Sequence, residues 1–435
     1  MNRTVSIILT AAIITGTPFA TKTNAQQADF TNGYEPIGFI QYLNLVGQNN
    51  LGYIAEKFNV KIADANVISQ KVFPDPELTV SAYDNQERSL QLGRGFGFDL
   101  DYNLELGGKR SSRIRLAKSE AEMAEILLEG SFRELRADAA ISFLESLKQK
   151  GLLEVKRESY NAMKQLYEYD SLRFKAGEIN ETDMRQTKLE AAALLNEVYS
   201  QEADYKSSMA ELCELAGRAP NILLMPHDIE TLHAMSLQQT VSLPELYAAA
   251  IDNRTDLTAA MKQKEISTNQ LKLTKAERAI DLGLNAGYDI NAEVRNEIAP
   301  VPPFRGVRAG VTVPLRFSNI NRGTVKASQY TVEQSEIEYA AIELQIQKEV
   351  SQAFFNYESM QKQLSQYSLT ILDDAKKVYD GILFKYRSGE TNLLDVMVAQ
   401  RTYNDIREKY VETLFDYASS IVELNRKCGT WKVEF

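Results

Sequence analysis

From Phe96 to Leu106 the chain reads FGFDLDYNLEL, with apolar or aromatic residues at every even position and glycine, acidic or amide residues at every odd one. Period-two alternation of this kind puts Phe96, Phe98, Leu100, Tyr102, Leu104 and Leu106 on one face of a strand. The run is long enough to span, since a tilted strand crosses a bilayer in about 9–11 residues. Just before it, Leu78, Val80 and Ala82 alternate with Thr79 and Ser81, so the two runs predict a hairpin over 78–106. A second pair follows the same rule. Leu282, Leu284, Ala286, Tyr288, Ile290 and Ala292 alternate with small or polar residues, and so do Val307, Ala309, Val311, Val313, Leu315 and Phe317. They predict a hairpin over 282–317, with Pro300, Pro302 and Pro303 in an irregular loop. Pro314 marks an edge, a bulge or the periplasmic end of its strand.

Between these hairpins the period changes to that of a helix. A weak helical pattern from Tyr34 to Lys71 stops at Pro74 and Pro76. After Gly107 and Gly108, a pattern with no proline runs over 110–176, on the order of 100 Å of helix. Gly177 interrupts it, and Asn180 with Asp183 supplies a cap and a third-position acid for a second helix over 180–215. The second half of the chain repeats the first. Tyr42, Ala55 and Asp84 recur 205 residues on as Tyr247, Ala260 and Asp289, and Phe143, Gly177, Asn180 and Leu212 recur 212 residues on as Phe355, Gly389, Asn392 and Leu424. The expected organisation is repeat 1 over 26–216, a linker over 217–242, repeat 2 over 243–427 with helices over 322–388 and 392–427, and a tail over 428–435.

Composition narrows the setting. Arg3, the apolar run from Val5 to Ile14 and the small-residue site ending at Ala25 resemble a secretory signal peptide over 1–25, with no cysteine after it to carry a lipid. A formal charge of −10 lacks the basic footprint of a nucleic-acid binder. Two cysteines, Cys213 and Cys428, are too few for a disulfide framework and read as buried helix-end residues. His227 and His233 have no metal-ligand company, and no nucleophile, base and orienter fall together, so no cofactor, metal site or enzymatic activity is expected. Four membrane strands cannot close a sheet, because the smallest membrane barrels have about eight. The chain must therefore oligomerise. On the polar strand positions, Asp99, Asp101, Glu105 and Asp289 stand against Arg308 and Arg316, which suits either a solvated lining or a mildly cation-favouring lumen.

The ordered set of LGGKR at Leu106 to Arg110, VPLRFSNINRG at Val313 to Gly323, NRTDL at Asn253 to Leu257 and the paired turns FKAGEIN and YRSGETN resembles the TolC family of outer-membrane efflux proteins, in its cation-efflux branch. The resemblance covers the mature chain. It implies a mixed α/β membrane protein in the cell outer membrane: a trimeric, 12-strand barrel continued by a periplasmic helical coiled-coil barrel. It also implies a periplasmic adaptor protein and an inner-membrane pump of the RND type as partners. The expected role is a passive exit duct for small molecules or cations. A type I duct for polypeptides and a soluble periplasmic coiled-coil adaptor are the alternatives. By the same resemblance Gly177, Glu178, Gly389 and Glu390 form adaptor-contact tips, and Asp183, Asp395 and Tyr386 a periplasmic gate with a Tyr386 to Asp183 hydrogen bond. Capping chemistry also suits both aspartates, and both glycines also suit a simple turn.

Overall fold

The structure, a computed structural model, describes residues 33–85, 93–227, 242–315, 321–431 and 433. The leader expected over 1–25, His233, Arg316 and Phe317 lie outside the described residues.

The first element departs from the helix expected from Tyr34. Strand β1 (Tyr34–Ile37) pairs in parallel with β4 (Leu223–Pro226), a segment that sequence alone leaves in a linker. Pro36 would cost a helix interior about 3 kcal/mol, whereas a short edge strand tolerates it. Helices α1 (Phe39–Asn49) and α2 (Leu51–Ser69) follow, and Asn50 separates them. Its side chain accepts the Tyr53 N–H at 2.9 Å and donates to the Leu215 carbonyl at 3.0 Å.

Strands β2 (Glu77–Asp84), β3 (Arg94–Leu104), β5 (Leu282–Asn291) and β6 (Phe304–Thr312) form one antiparallel sheet in the order β2-β3-β5-β6. The two hairpins, one from each repeat, meet along β3 and β5. Their registers align the apolar positions in rows: Val80, Phe98, Tyr288 and Val307 in one, Leu78, Leu100, Ala286 and Ala309 in the next. The large side chains of this face are exposed on the single chain. The outer edges of β2 and β6 have no strand beside them among the described residues. Pro314 falls just past the end of β6, where a missing N–H breaks no ladder bond. No helix among the described residues is long and apolar enough to cross a membrane.

Two helical hairpins extend from the sheet. The first joins α3 (Lys109–Lys175) to α4 (Glu181–Leu215). In the second half, α5 (Leu243–Asn253) and α6 (Thr255–Ala276) lead into the sheet. Beyond it, α7 (Arg322–Gln366) passes through a π-helical turn (Tyr367–Ile371) into α8 (Leu372–Arg387), which turns back as α9 (Leu393–Lys427). The main core packs Phe39, Tyr42 and Val46 of α1 against Phe143, Leu144 and Leu147 of α3, with Leu212, Phe415 and Val422 closing it. A second cluster joins Leu257, Ile346, Val350, Tyr357, Tyr417 and Leu424 in the other repeat. Cys213 and Cys428, near the ends of α4 and α9, are buried and free.

Candidate functional site

Polar side chains gather on the opposite face of the sheet. The register sets Thr79, Asp99, Gly287 and Arg308 in one row and Ser81, Gly97, Asp289 and Gly306 in the next. Arg308 lies across Gly287 and bridges Asp99 at 3.1 Å and Asp289 at 2.8 Å. A Cβ at Gly287 would stand 2.4 Å from Asp99 Oδ1, so glycine there makes room for the bridge. Asn285 donates to Asp101 at 2.9 Å. Sequence reasoning groups these charges correctly on one face, but it also puts Glu105 there. Glu105 lies past the end of β3 and pairs instead with Arg113 in the first turns of α3. The chain turns sharply at Gly107 and Gly108, which folds the Glu105 carboxylate back toward the helix.

This turn is the joint between sheet and helices. Gly107 and Gly108 both adopt left-handed backbone, with φ of 73° and 72°, which a residue with a Cβ adopts at a cost of about 1–2 kcal/mol. At Gly107 there is also no room, since a Cβ would lie 2.1 Å from that of Ala279. Asp281 ties the neighbouring joint, between α6 and β5, to this one. It accepts the Leu106 N–H at 3.0 Å and pairs with Lys109 at 2.5 Å.

At the far ends of the helices the two repeats make the same turn. Gly177 and Gly389 are left-handed, with φ of 79° and 78°. Glu178 N–H bonds the Arg173 carbonyl at 2.9 Å, and Glu390 N–H bonds that of Lys385 at 2.8 Å, the pattern of a Schellman cap. Asn180 then caps α4 through the Asp183 N–H at 2.8 Å, and Asn392 caps α9 through the Asp395 N–H at 3.0 Å. Both aspartates therefore sit at the third helical position, where the helix dipole favours their charge.

Tyr386 does not reach the partner expected for it. Its hydroxyl donates to Asp170 Oδ1 at 3.0 Å, not to Asp183. Asp170 is wholly buried on α3, and its other oxygen has no hydrogen-bond partner. A buried carboxylate is costly without a donor. Asp183, partly exposed in the first turn of α4, has less need of one. Burial pushes Asp170 above the usual carboxylate range, and burial and the Asp170 charge push Tyr386 up. Arg173, stacked over both Tyr169 and Tyr386, ion-pairs with Glu178 at 3.1 Å. Sequence reasoning missed Asp170. The signal was available as a carboxylate seven residues before Gly177 whose counterpart in repeat 2 is Ile382, although the neighbouring Glu168 is matched there by Asp380.

An amphipathic sheet with two edges unpaired among the described residues, carrying two long helical hairpins that end in matched turns, fits the subunit of a membrane channel with a helical extension. Residues 44–218 and 246–430, one stretch in each repeat, match the family described as outer membrane efflux protein. The chain belongs to this family, which makes it an outer-membrane efflux component; the family is one of channel proteins and not of enzymes. Over 394 residues it is 22% identical to the cobalt-zinc-cadmium resistance protein CzcC of Cupriavidus metallidurans, covering 91% of this chain and 90% of that one. Over 364 residues it is 21% identical to the outer membrane protein TolC of Vibrio cholerae, covering 82% of each. The crystal structure of CusC superposes with a TM-score of 0.73 at 14% identity, covering 94% of this chain and 96% of that one.

Proposed function

We propose that this protein is the outer-membrane exit duct of a tripartite efflux system, a homotrimer whose three sheets close a 12-strand barrel and whose helices continue it as a periplasmic tube. The observation that carries the reading is the sheet itself. Its apolar rows run in register across all four strands, while among the described residues β2 and β6 each leave an edge unpaired, which hydrocarbon does not tolerate. Helix α7 adds to this. Ile337, Leu344 and Phe355 are exposed along it on the single chain, and a neighbouring copy would cover them. The domain organisation follows the duplication, with one strand hairpin and one helical hairpin per repeat.

On this reading the polar face holding Asp99, Asp101, Asp289 and Arg308, with Arg316 beyond β6, lines the barrel lumen. Asp183, Asp395 and Tyr386 form the periplasmic gate, with Asp170 as the partner of Tyr386. The turns at Gly177, Glu178, Gly389 and Glu390 meet a periplasmic adaptor, and an RND-type pump in the inner membrane supplies the energy. The likeness to a cobalt-zinc-cadmium resistance protein supports metal cations as cargo. Planar-bilayer recording of detergent-purified protein tests the duct: discrete channels from a species of three chains are expected. A monomer that gives no conductance would sink the reading.

A further inference from the structure

Where the two repeats meet, away from sheet and tips, the helices line a partly open cavity of about 250 Å³. Ile126 to Ala137 of α3 form one wall, the start of α6 another, and the end of α9 with Trp431 the third. Five basic side chains line it, Arg133, Arg136, Arg254, Arg426 and Lys427, against two carboxylates, Glu134 and Asp256. The lining itself is rich in cations, and most of their counter-charges stand on the helices behind it.

Four of the five cations are matched by protein groups. Arg254 pairs with Asp256 and with Glu349 at 2.8 Å, Arg426 with Glu134 and Asp138, and Lys427 with Glu349 at 3.5 Å. Arg133 donates to the Gly429 carbonyl and pairs with Glu129. Arg136 is the exception. Its guanidinium stacks on Trp431, 4.0 Å from the ring centroid, and no carboxylate among the described residues pairs with it. Its Nε is buried without a hydrogen-bond partner, as is that of Arg426. Burial and the neighbouring Arg133 charge push Arg136 below the usual guanidinium range, the direction expected of a cation lacking its counter-charge. Buried polar groups in folded proteins are nearly always satisfied by protein, water or an ion, and Arg136, beside this cavity and without a carboxylate among the described residues, has room for one of the last two.

We propose that this cavity is a binding site for a small soluble oxyanion, a phosphate or a carboxylate, held by the Arg136 guanidinium against the platform of Trp431. A guanidinium fork suits either group, and charge-assisted bonds of this kind are about twice as strong as neutral ones. The first turn of α6 opens onto the same space, but its own Asp256 already accepts the Leu257 N–H at 3.0 Å, so the anion is held by the arginine side and not by the helix end. Lipid is not the source of the anion. The α3 wall begins 17 residues beyond Lys109, so about 25 Å or more of helix separates it from the membrane sheet. Bound there, the anion would cross-link the long helix of repeat 1 to the closing turn of repeat 2. The site stands whether or not the channel reading holds.

Trp431 is the sole tryptophan of the chain, so its emission reports on the surroundings of the ring that lines this site. Full-length protein in detergent, kept in phosphate-free buffer, is titrated with inorganic phosphate and in parallel with succinate, with sodium chloride at equal ionic strength as the control. A saturable change in emission beyond that of chloride is expected with at least one oxyanion, together with a rise in unfolding temperature. Which of the two gives it identifies phosphate or carboxylate as the preferred ligand. Arg136→Gln should weaken the response by about ten-fold or more, and Arg136→Lys, which keeps the charge and favours the fold, by a smaller factor because it lacks the planar fork. No saturable response to either anion would overturn the proposal, leaving Arg136 to a protein carboxylate. An unchanged midpoint in Arg136→Lys and Arg136→Gln would overturn it as well.

Discussion

The two repeats share a plan and differ in how their long helices reach the tip. In repeat 1, α3 runs unbroken, whereas in repeat 2 the equivalent helix passes through the π turn at Tyr367–Ile371. The offset of 212 holds on both sides of that turn, so the two helices use the same number of residues. A single wider turn spends one more residue, which rotates everything after it by about 100° relative to an uninterrupted helix. This accounts for the different fates of matched side chains. Phe174 in repeat 1 is 37% exposed, and its counterpart Tyr386 is 5% exposed and bonded to Asp170 across the repeat boundary. Before the π turn the contrast is one of neighbours instead. Phe143 is 1% exposed under α1, whereas Phe355 at the matching place is 57% exposed. Duplication thus supplied two similar rods, and a change of helical phase in one of them let the hairpins lock.

The comparison breaks hardest at the glycines that close each repeat. Gly217 and Gly429 both have φ of 65°, and each packs on the break between the two short helices of its own repeat. A Cβ at Gly217 would stand 2.2 Å from the Asn49 carbonyl oxygen, whereas one at Gly429 would stand 3.0 Å from backbone atoms of Asn253. Gly217→Ala should therefore cost about 2–5 kcal/mol, left-handed strain plus overpacking, and Gly429→Ala about 1–3 kcal/mol. Denaturant unfolding of the purified protein measures both. Equal losses would mean that the first docking is no tighter than the second.

The same joints are braced differently. In repeat 1 the uncharged Asn50 reaches the Leu215 carbonyl, and in repeat 2 Arg254 reaches that of Lys427 while pairing with Glu349. Burial alone would push Glu349 up. Hydrogen bonds from Gln345 and Arg254 and the nearby charges override it and hold the carboxyl at about 2. A folded-state value below that of the unfolded chain means stability that is complete above the unfolded value of about 4.5 and is lost as pH falls toward about 2. The loss should approach about 3 kcal/mol, and it belongs to repeat 2 only. Hydrogen exchange across that pH range should show α5 and α7 loosening before α1. Glu349→Gln should flatten the pH dependence of α5 and α7, and an unaltered profile would remove the brace from the account.

How much of this was legible in the sequence depends on the range of the interaction that decides each element. The strands were readable because alternation over about ten residues is a local signal, and the helices because Gly177, Asn180 and the proline-free stretches mark their ends. Strands β1 and β4 were not, since four residues show no period and their pairing is with a partner far along the chain. The π turn has no glycine or proline to announce it. The place of Asp99, Asp289 and Arg308 on one face followed from parity, but Glu105 lay one residue beyond the strand where parity stops applying. The mismatch of Asp170 with Ile382 between the repeats marks the residue, but the choice of Asp170 over Asp183 as the partner of Tyr386 needed the rotation of α8, which no pattern along the chain encodes.

That rotation is tested by exchanging the matched side chains. Tyr386→Phe should leave Asp170 with both oxygens unpartnered, at a cost of about 1–3 kcal/mol, seen as faster hydrogen exchange in α8 and in α3 near Asp170. Phe174→Tyr, at the exposed equivalent, should cost close to nothing. If both variants behave alike, the two tips are not locked through this pair.

The smallest effect is the most symmetrical. At Gly177 and Gly389 no heavy atom lies within 4 Å of where a Cβ would stand, so only the left-handed backbone resists substitution. Gly177→Ala and Gly389→Ala should each cost about 1 kcal/mol, and the two values should agree, because the turns share their Schellman bonds and their asparagine caps. Unfolding of the purified protein gives these costs without any partner present. Measured again with the adaptor added, a loss of affinity in either variant beyond its loss of stability would mark that glycine as part of the contact surface. Agreement alone and divergence with adaptor is the pattern expected if the duplicated turns fold identically and are used as docking tips. Divergence already in the isolated protein would mean that the turns differ in a way their shared backbone geometry does not explain.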